Sequence, residues 1–186
     1  IIDRVWQLSW IPWIYGSIGL LLLVLVLIIG NTSFGAQLSL SIVGVSFQPS
    51  EFVKISFVFF VATMFYRSTS FKTVLVTTAV AAVHVLILVA SKDLGSALIY
   101  FVAYLLMLFV ATTNWFYLAG GTVGGVLASL LAYQLFPHVR TRILAWTNPW
   151  SDIDNRGYQI TQSLFAIGTG GWFGLGLYQG LPRKIP

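Results

Sequence analysis

The chain has no cysteine and only two histidines, His84 and His138, in 186 residues. A disulfide framework and a thiolate metal site are thereby excluded. Two histidines so far apart form no readable ligand cluster, so a divalent cation stays open as a cofactor with no residues to assign to it. Charge is scarce as well: 8% of residues are Asp, Glu, Lys or Arg, against about 25% in soluble domains, whose surfaces need charge to face water. Most of this chain's surface must face something else, and lipid is the obvious solvent. The Gly-x-x-x-x-Gly-Lys pattern of a phosphate loop is missing, and no nucleic acid is expected as a partner.

Apolar residues are abundant, at 58% of the chain with a mean hydropathy of +0.88. A spanning helix needs about 20 mostly apolar residues. Five segments qualify or nearly so: residues 10–30, 52–66, 73–90, 94–111 and 115–136. The second is short and extends back through Pro49, Ser50 and Glu51, since proline at a helix entry loses no hydrogen bond and Ser50 or Glu51 can cap free amides. The expected fold is an all-α polytopic membrane protein with about five transmembrane helices in residues 1–136. Residues 31–48 form a polar, glycine-containing connection, and residues 137–186 a large, partly ordered loop too polar to span. The first span has no cleavage site after it and is no secretory signal. The start at Ile1 and the end at Pro186, inside an unfinished loop, mark the chain as a piece of a longer protein.

Five crossings put the loop on the opposite side of the membrane from Ile1. Arg4, Arg67 and Lys72 fall on one side, and Lys92, Arg140, Arg142, Arg156, Arg183 and Lys184 on the other. Charge bias alone would make the loop cytoplasmic. Asp93, Asp152 and Asp154 offset part of that bias, and cations that bind an anionic ligand carry no topological signal.

Ionisable residues at membrane depth are costly unless paired or facing a polar cavity. Glu51 and Lys54, three apart, share a helix face. They are either an interfacial pair that pins the helix end or a substrate-facing pair. Asp93 opens Asp93-Leu94-Gly95-Ser96 at the mouth of the fourth span, where it is an N-cap or, given a partner cation, a functional carboxylate. His84 is expected to be an interhelical hydrogen-bonding residue rather than a proton relay. Gly120–Gly121 and Gly124–Gly125 form a small-residue pattern suited to close helix packing. Beyond the last span, Arg140 and Arg142 suit phosphate oxygens, either those of a lipid-linked phosphate or those of ordinary anionic membrane lipids. Asn148 to Asp152 has turn composition, residues 158–168 suit an interfacial helix, and the glycines after them let the backbone approach a ligand or simply turn. These readings favour an anionic, lipid-linked ligand and name no reaction.

Six short motifs stand in order along the chain. Gln48-Pro49-Ser50-Glu51 with Lys54 resembles the Gln-Pro-Ser-Glu-x-x-Lys motif of the SEDS family (shape, elongation, division and sporulation), and Asp93-Leu94-Gly95-Ser96 its Asp-Leu-Gly-Thr/Ser motif. Arg140-Thr141-Arg142, Asn148 to Asp152, Gly157-Tyr158-Gln159 with Gln162-Ser163, and Ala166 to Gly171 follow in the family's order and approximate spacing. The resemblance covers essentially the whole chain. It departs at Leu38–Ser39 and at Ser46, so the family's substrate contacts in that loop are not carried over, and at Ser91–Lys92, which suggests a divergent branch.

The resemblance implies a multi-pass glycosyltransferase of the bacterial plasma membrane. Such an enzyme polymerises lipid II, an undecaprenyl-pyrophosphate disaccharide-pentapeptide, into glycan strands during growth, division or sporulation, paired with a class B penicillin-binding protein. It implies an extracellular position for residues 137–186. Glu51, Lys54, Asp93, Arg140, Arg142 and Gln162 are the implied substrate-binding residues. The catalytic aspartate is expected beyond Pro186, so the chain as given is expected to be inactive. A lipid II transporter and a non-catalytic scaffold for a penicillin-binding protein are the competing readings.

Overall fold

The computed structural model describes residues 10–33, 36–42, 45–176 and 179. Arg4, Arg183 and Lys184 of the charge count, and the departures' neighbours at positions 34, 35, 43 and 44, lie outside the described residues. Five helices are long and apolar enough to cross a membrane: α1 (Ile11–Ile29), α2 (Pro49–Arg67), α3 (Phe71–Ala90), α4 (Leu94–Thr112) and α5 (Trp115–Leu135). They are the five expected spans, with ends shifted by a few residues.

Each start has a local cause. Pro49 opens α2, where its missing N–H costs nothing and its fixed φ is already helical. Ser70 caps α3 by accepting from the Thr73 amide, and Asp93 caps α4 by accepting from the Ser96 amide at 3.1 Å. The expected capping of α2 by Ser50 or Glu51 does not occur: its N-cap Gln48 is extended and makes no side-chain cap. The turns between spans are tight enough to force left-handed backbone on residues with a Cβ. Lys92 has φ +64° and Thr113 φ +50°, a conformation that costs non-glycine residues about 1–2 kcal/mol.

In the first compact unit, Ile1–Leu127, helices α1 to α4 bury Leu23, Phe57, Phe60, Val61, Leu88 and Tyr100 in one core. Lipid is as apolar as leucine, so close packing rather than the hydrophobic effect holds such helices together. Glycine provides that closeness in α1. A Cβ at Gly16 would stand 3.2 Å from the Phe60 ring, and one at Gly19 within 3.2 Å of Val53, Ser56 and His84. His84 Nδ1 lies 2.8 Å from the Val80 carbonyl; a carbonyl only accepts, so Nδ1 carries the hydrogen. The expected interhelical bond is thus replaced by one within α3, and Nε2 has no partner among the described residues. The ring is held by packing on Phe57 and Tyr100 instead.

Helix α5 buries none of its residues. Half of its glycine pattern packs: Gly121 and Gly125 face Leu105 and Phe101 of α4, while Gly120 and Gly124 face open space. Between α1 and α2 lies the polar, glycine-containing connection, for which the sequence named no secondary structure. It forms a small antiparallel sheet, β1 (Asn31–Ser33), β2 (Ala36–Ile42) and β3 (Val45–Phe47), in the order β1-β2-β3. The register pairs Thr32 with Gln37 and Ser41 with Ser46. Polar alternation in Gln37-Leu38-Ser39-Leu40-Ser41 has the period of a strand.

The second unit, Ala128–Pro186, holds α6 (Pro137–Thr147), a 3-10 turn (Pro149–Asp152) and α7 (Tyr158–Gly170). Helix α7 falls on the segment expected to be an interfacial helix; α6 was not expected. Trp150 packs edge-on against Phe165. After α7 the chain turns through Gly171, Gly174 and Gly176, all at positive φ. Gly157 is buried where the turn meets α7, and its amide donates to the Asp152 carbonyl at 2.8 Å. A Cβ there would collide with the Pro149 carbonyl. Gly157→Ala should therefore cost about 1–3 kcal/mol, as overpacking does; limited proteolysis of the full-length protein should show faster cleavage within residues 137–176 while the spans stay intact.

Candidate functional site

The chemistry-bearing residues of the first unit converge where α2 and α4 begin. Helix α2 enters through Gln48, Pro49 and Ser50, and α4 through Asp93. The Asp93 carboxylate divides its work. Oδ1 caps α4; Oδ2 accepts from Ser50 Oγ at 3.4 Å and from Gln48 Nε2 at 3.3 Å. Gln48 Nε2 also donates to Ser50 Oγ at 3.0 Å. Ser50 is buried, and its carbonyl accepts from the Tyr100 hydroxyl at 2.9 Å. Lys92, in its left-handed conformation, turns the chain out of α3 so that the Asp93 amide reaches back to the Leu88 carbonyl at 2.9 Å. The side chain is then delivered to both helix starts.

Immediately after this polar knot, Lys54 Nζ donates to Glu51 Oε2 at 2.9 Å. Their side chains are 25% and 58% exposed respectively, so the pair is open to a ligand. An exposed pair of this spacing contributes about 0.3–0.5 kcal/mol to a helix. Stability alone gives little reason for placing two charges at membrane depth. An ammonium with three donors, one of them engaged, can hold phosphate oxygens.

Of the residues singled out by sequence, Glu51, Lys54 and Asp93 come together. Asp93, however, is held by the neutral donors of Gln48, Ser50 and the Ser96 amide, and its carboxylate ties two helices. Arg140, Arg142 and Gln162 belong to the second unit. Arg140 aims its fork at the end of α5: Nε donates to the Tyr133 carbonyl and Nη2 to the Gln134 carbonyl, both at 2.9 Å, with the guanidinium over the Tyr133 ring. It satisfies terminal carbonyls that have no helical partner. Arg142 Nη1 donates to Gln159 Oε1 at 2.8 Å, joining α6 to α7. Both arginines are exposed, and their remaining N–H groups are available for an anion. Gln162 is half-buried on α7. Asp152 accepts from Asn155 and faces Arg156 at 3.8 Å, so it braces its own turn. Among the described residues, no group of three His, Asp or Glu side chains could hold a metal ion.

Sequence reasoning missed Tyr100. A tyrosine two turns after Asp93, in an otherwise apolar span, was the available signal: a buried phenol needs a partner for its hydroxyl.

These features define a multi-pass helical membrane protein with a polar, partly charged cluster at the entry of two spans. The family model described as cell cycle protein, that of the FtsW, RodA and SpoVE proteins, matches residues 2–186, and the chain belongs to this family of bacterial membrane proteins. It is 35% identical over 168 residues to the peptidoglycan glycosyltransferase RodA of Mycobacterium tuberculosis, covering 82% of this chain and 36% of that protein. It is 36% identical over 193 residues to the probable peptidoglycan glycosyltransferase FtsW of Geobacter sulfurreducens, covering 98% of this chain and 50% of that protein. A solved structure described as "Structural coordination of polymerization and crosslinking by a peptidoglycan synthase complex" superposes with a TM-score of 0.67 at 27% identity, over 91% of this chain and 51% of that one. The chain thus spans about a third to a half of the length of these relatives.

Replacement of Asp93 separates its two attachments. Asp93→Ala removes the cap and the tie to Ser50, and should lower stability by about 1–2 kcal/mol, the upper range for a lost N-cap. Asp93→Asn keeps an oxygen for the cap and should lose clearly less. Thermal unfolding of the detergent-solubilised full-length protein checks the order.

Proposed function

We propose that the protein is a peptidoglycan glycosyltransferase that polymerises lipid II, and that this chain supplies the part that holds the pyrophosphate end of the lipid-linked substrate. The observation that carries the reading is the open Glu51–Lys54 pair, 2.9 Å apart and set beside the α2–α4 knot, in a chain matched to the family along its length. In such a transfer a sugar hydroxyl attacks the anomeric carbon of the lipid-linked donor. Its proton passes to a carboxylate base, and the bond to the pyrophosphate breaks. Cations positioned at the departing oxygens stabilise the charge that develops there. Lys54 takes that role in the first unit, with Glu51 holding the ammonium in place. Arg140, Arg142 and Gln162, all in the second unit, are separate candidates for contacts to an anionic, lipid-linked substrate. The base is the aspartate that the resemblance places after residue 186. A class B penicillin-binding protein is the expected partner, and cross-links the strands made.

The reading requires the starts of α2 and α4, and separately residues 137–186, to lie outside the cell. Charge bias alone favours the opposite orientation, so labelling decides between the two. Arg140 caps a helix and Arg156 faces Asp152, which gives both a structural use.

Two measurements test this. Full-length protein, purified with its penicillin-binding partner and given labelled lipid II, should form glycan strands. Lys54→Ala should slow that about a hundredfold, the low side of what removing one charge-stabilising donor costs. Lipid II binding without polymer from the wild type would sink the reading, and lipid II translocation in vesicles would then favour transport. For orientation, the chain has no native cysteine, so Asp154→Cys introduces a single exposed thiol in this segment. A membrane-impermeant maleimide should label it in intact spheroplasts; labelling only after lysis would place the segment inside and overturn the assignment.

A further inference from the structure

We propose that Tyr100 is a positioning residue: by gripping the Ser50 peptide it sets the placement of the Glu51–Lys54 pair. The inference rests on the reading of that pair as a substrate contact. Tyr100 is fully buried, and its hydroxyl donates to the Ser50 carbonyl at 2.9 Å across two helices. In α-helical register the Ser50 carbonyl is also the acceptor for the Lys54 amide. One oxygen thus links the phenol to the turn that carries the ammonium. The next residue after Ser50 is Glu51.

The phenol is itself held still. Its ring lies 5.0 Å from Phe57 of α2 and 6.1 Å from His84 of α3, centroid to centroid, the latter at 24° between planes. Three helices therefore fix the direction in which the hydroxyl points. Asp93 supplies a second grip on the same residue through Ser50 Oγ. Two attachments from α4, one to the backbone and one to the side chain of Ser50, determine the rotation and height of the first turn of α2. The pair itself is exposed and provides no such constraint. Tyr100 reaches the pair through the α2 backbone.

The molecule contains its own control. Tyr104 lies one turn further along the same face of α4 and is also buried. Its hydroxyl meets Thr77 Oγ1 at 3.1 Å and Thr78 Oγ1 at 2.7 Å. It ties α4 to α3, away from the pair, with the same chemical group in the same kind of surroundings.

The experiment compares Tyr100→Phe and Tyr104→Phe in the full-length protein with its penicillin-binding partner, measuring polymerisation against lipid II concentration and the thermal midpoint. Both should lower the midpoint by similar amounts. Only Tyr100→Phe should lower kcat, by about tenfold, within the loss expected when a reacting group is misplaced by a fraction of an ångström. Its KM should change less than about twofold, because the interaction lost is one realised in the transition state. In a Lys54→Ala background Tyr100→Phe should cost little more, as residues acting through one another are not additive. An active Tyr100→Phe enzyme overturns the proposal while leaving the proposed function standing. So does activity that falls with the midpoint equally in both variants, or a full further loss without Lys54. A wild type that makes no polymer removes both.

Discussion

A single carboxylate holds together the starts of two membrane helices. Asp93 spends one oxygen on the Ser96 amide at the head of α4 and the other on Ser50 and Gln48 at the head of α2. Each helix start leaves amides without partners, and the hydrocarbon core of a bilayer supplies none. A residue that caps one helix while binding the next satisfies this constraint twice. The other features of the site follow from that arrangement. The left-handed Lys92 is tolerated because it delivers Asp93. Ser50 is withdrawn from capping its own helix, and the Tyr100 hydroxyl completes the attachment from the side of the core. The Glu51–Lys54 pair, left out of these bonds, is the part open to a ligand.

The same shortage of partners explains where the arginines of the second unit go. Arg140 covers the last carbonyls of α5 with a bidentate fork, which lysine could not reproduce with its point charge. Arg142 fastens α6 to α7 through Gln159. Neither use exhausts the guanidinium, so a structural and an anion-binding role are compatible in one residue.

Packing in the first unit is set by small residues and rings rather than by apolar stripes. Glycine at positions 16 and 19 lets α1 close on Phe60, Val53 and His84. The rings of Phe57, His84 and Tyr100 meet at the junction of three helices. Many large apolar side chains face outward, Ile28 and Val110 among them, as lipid-facing residues do. An amphipathic pattern is therefore weak in these spans, and periodicity says little about which face packs.

Sequence alone determined that the chain spans a membrane, how many times, and nearly where, because twenty-residue apolar runs with few charges have no other stable home. It also determined which charged residues are worth attention, since a charge at membrane depth needs a reason. The motif order carried the family. Tertiary structure decided the rest. Whether Asp93 faces a ligand or a neighbouring helix depends on a residue 43 positions away, Ser50, and no local pattern encodes that distance. The Tyr100 phenol signals that it needs a partner, and only the fold shows that the partner is the Ser50 carbonyl of another helix. The sheet between α1 and α2 and the capping role of Arg140 were equally hidden. Strand pairing and helix-end satisfaction are relations between separated backbone groups, and only the folded chain brings those groups together.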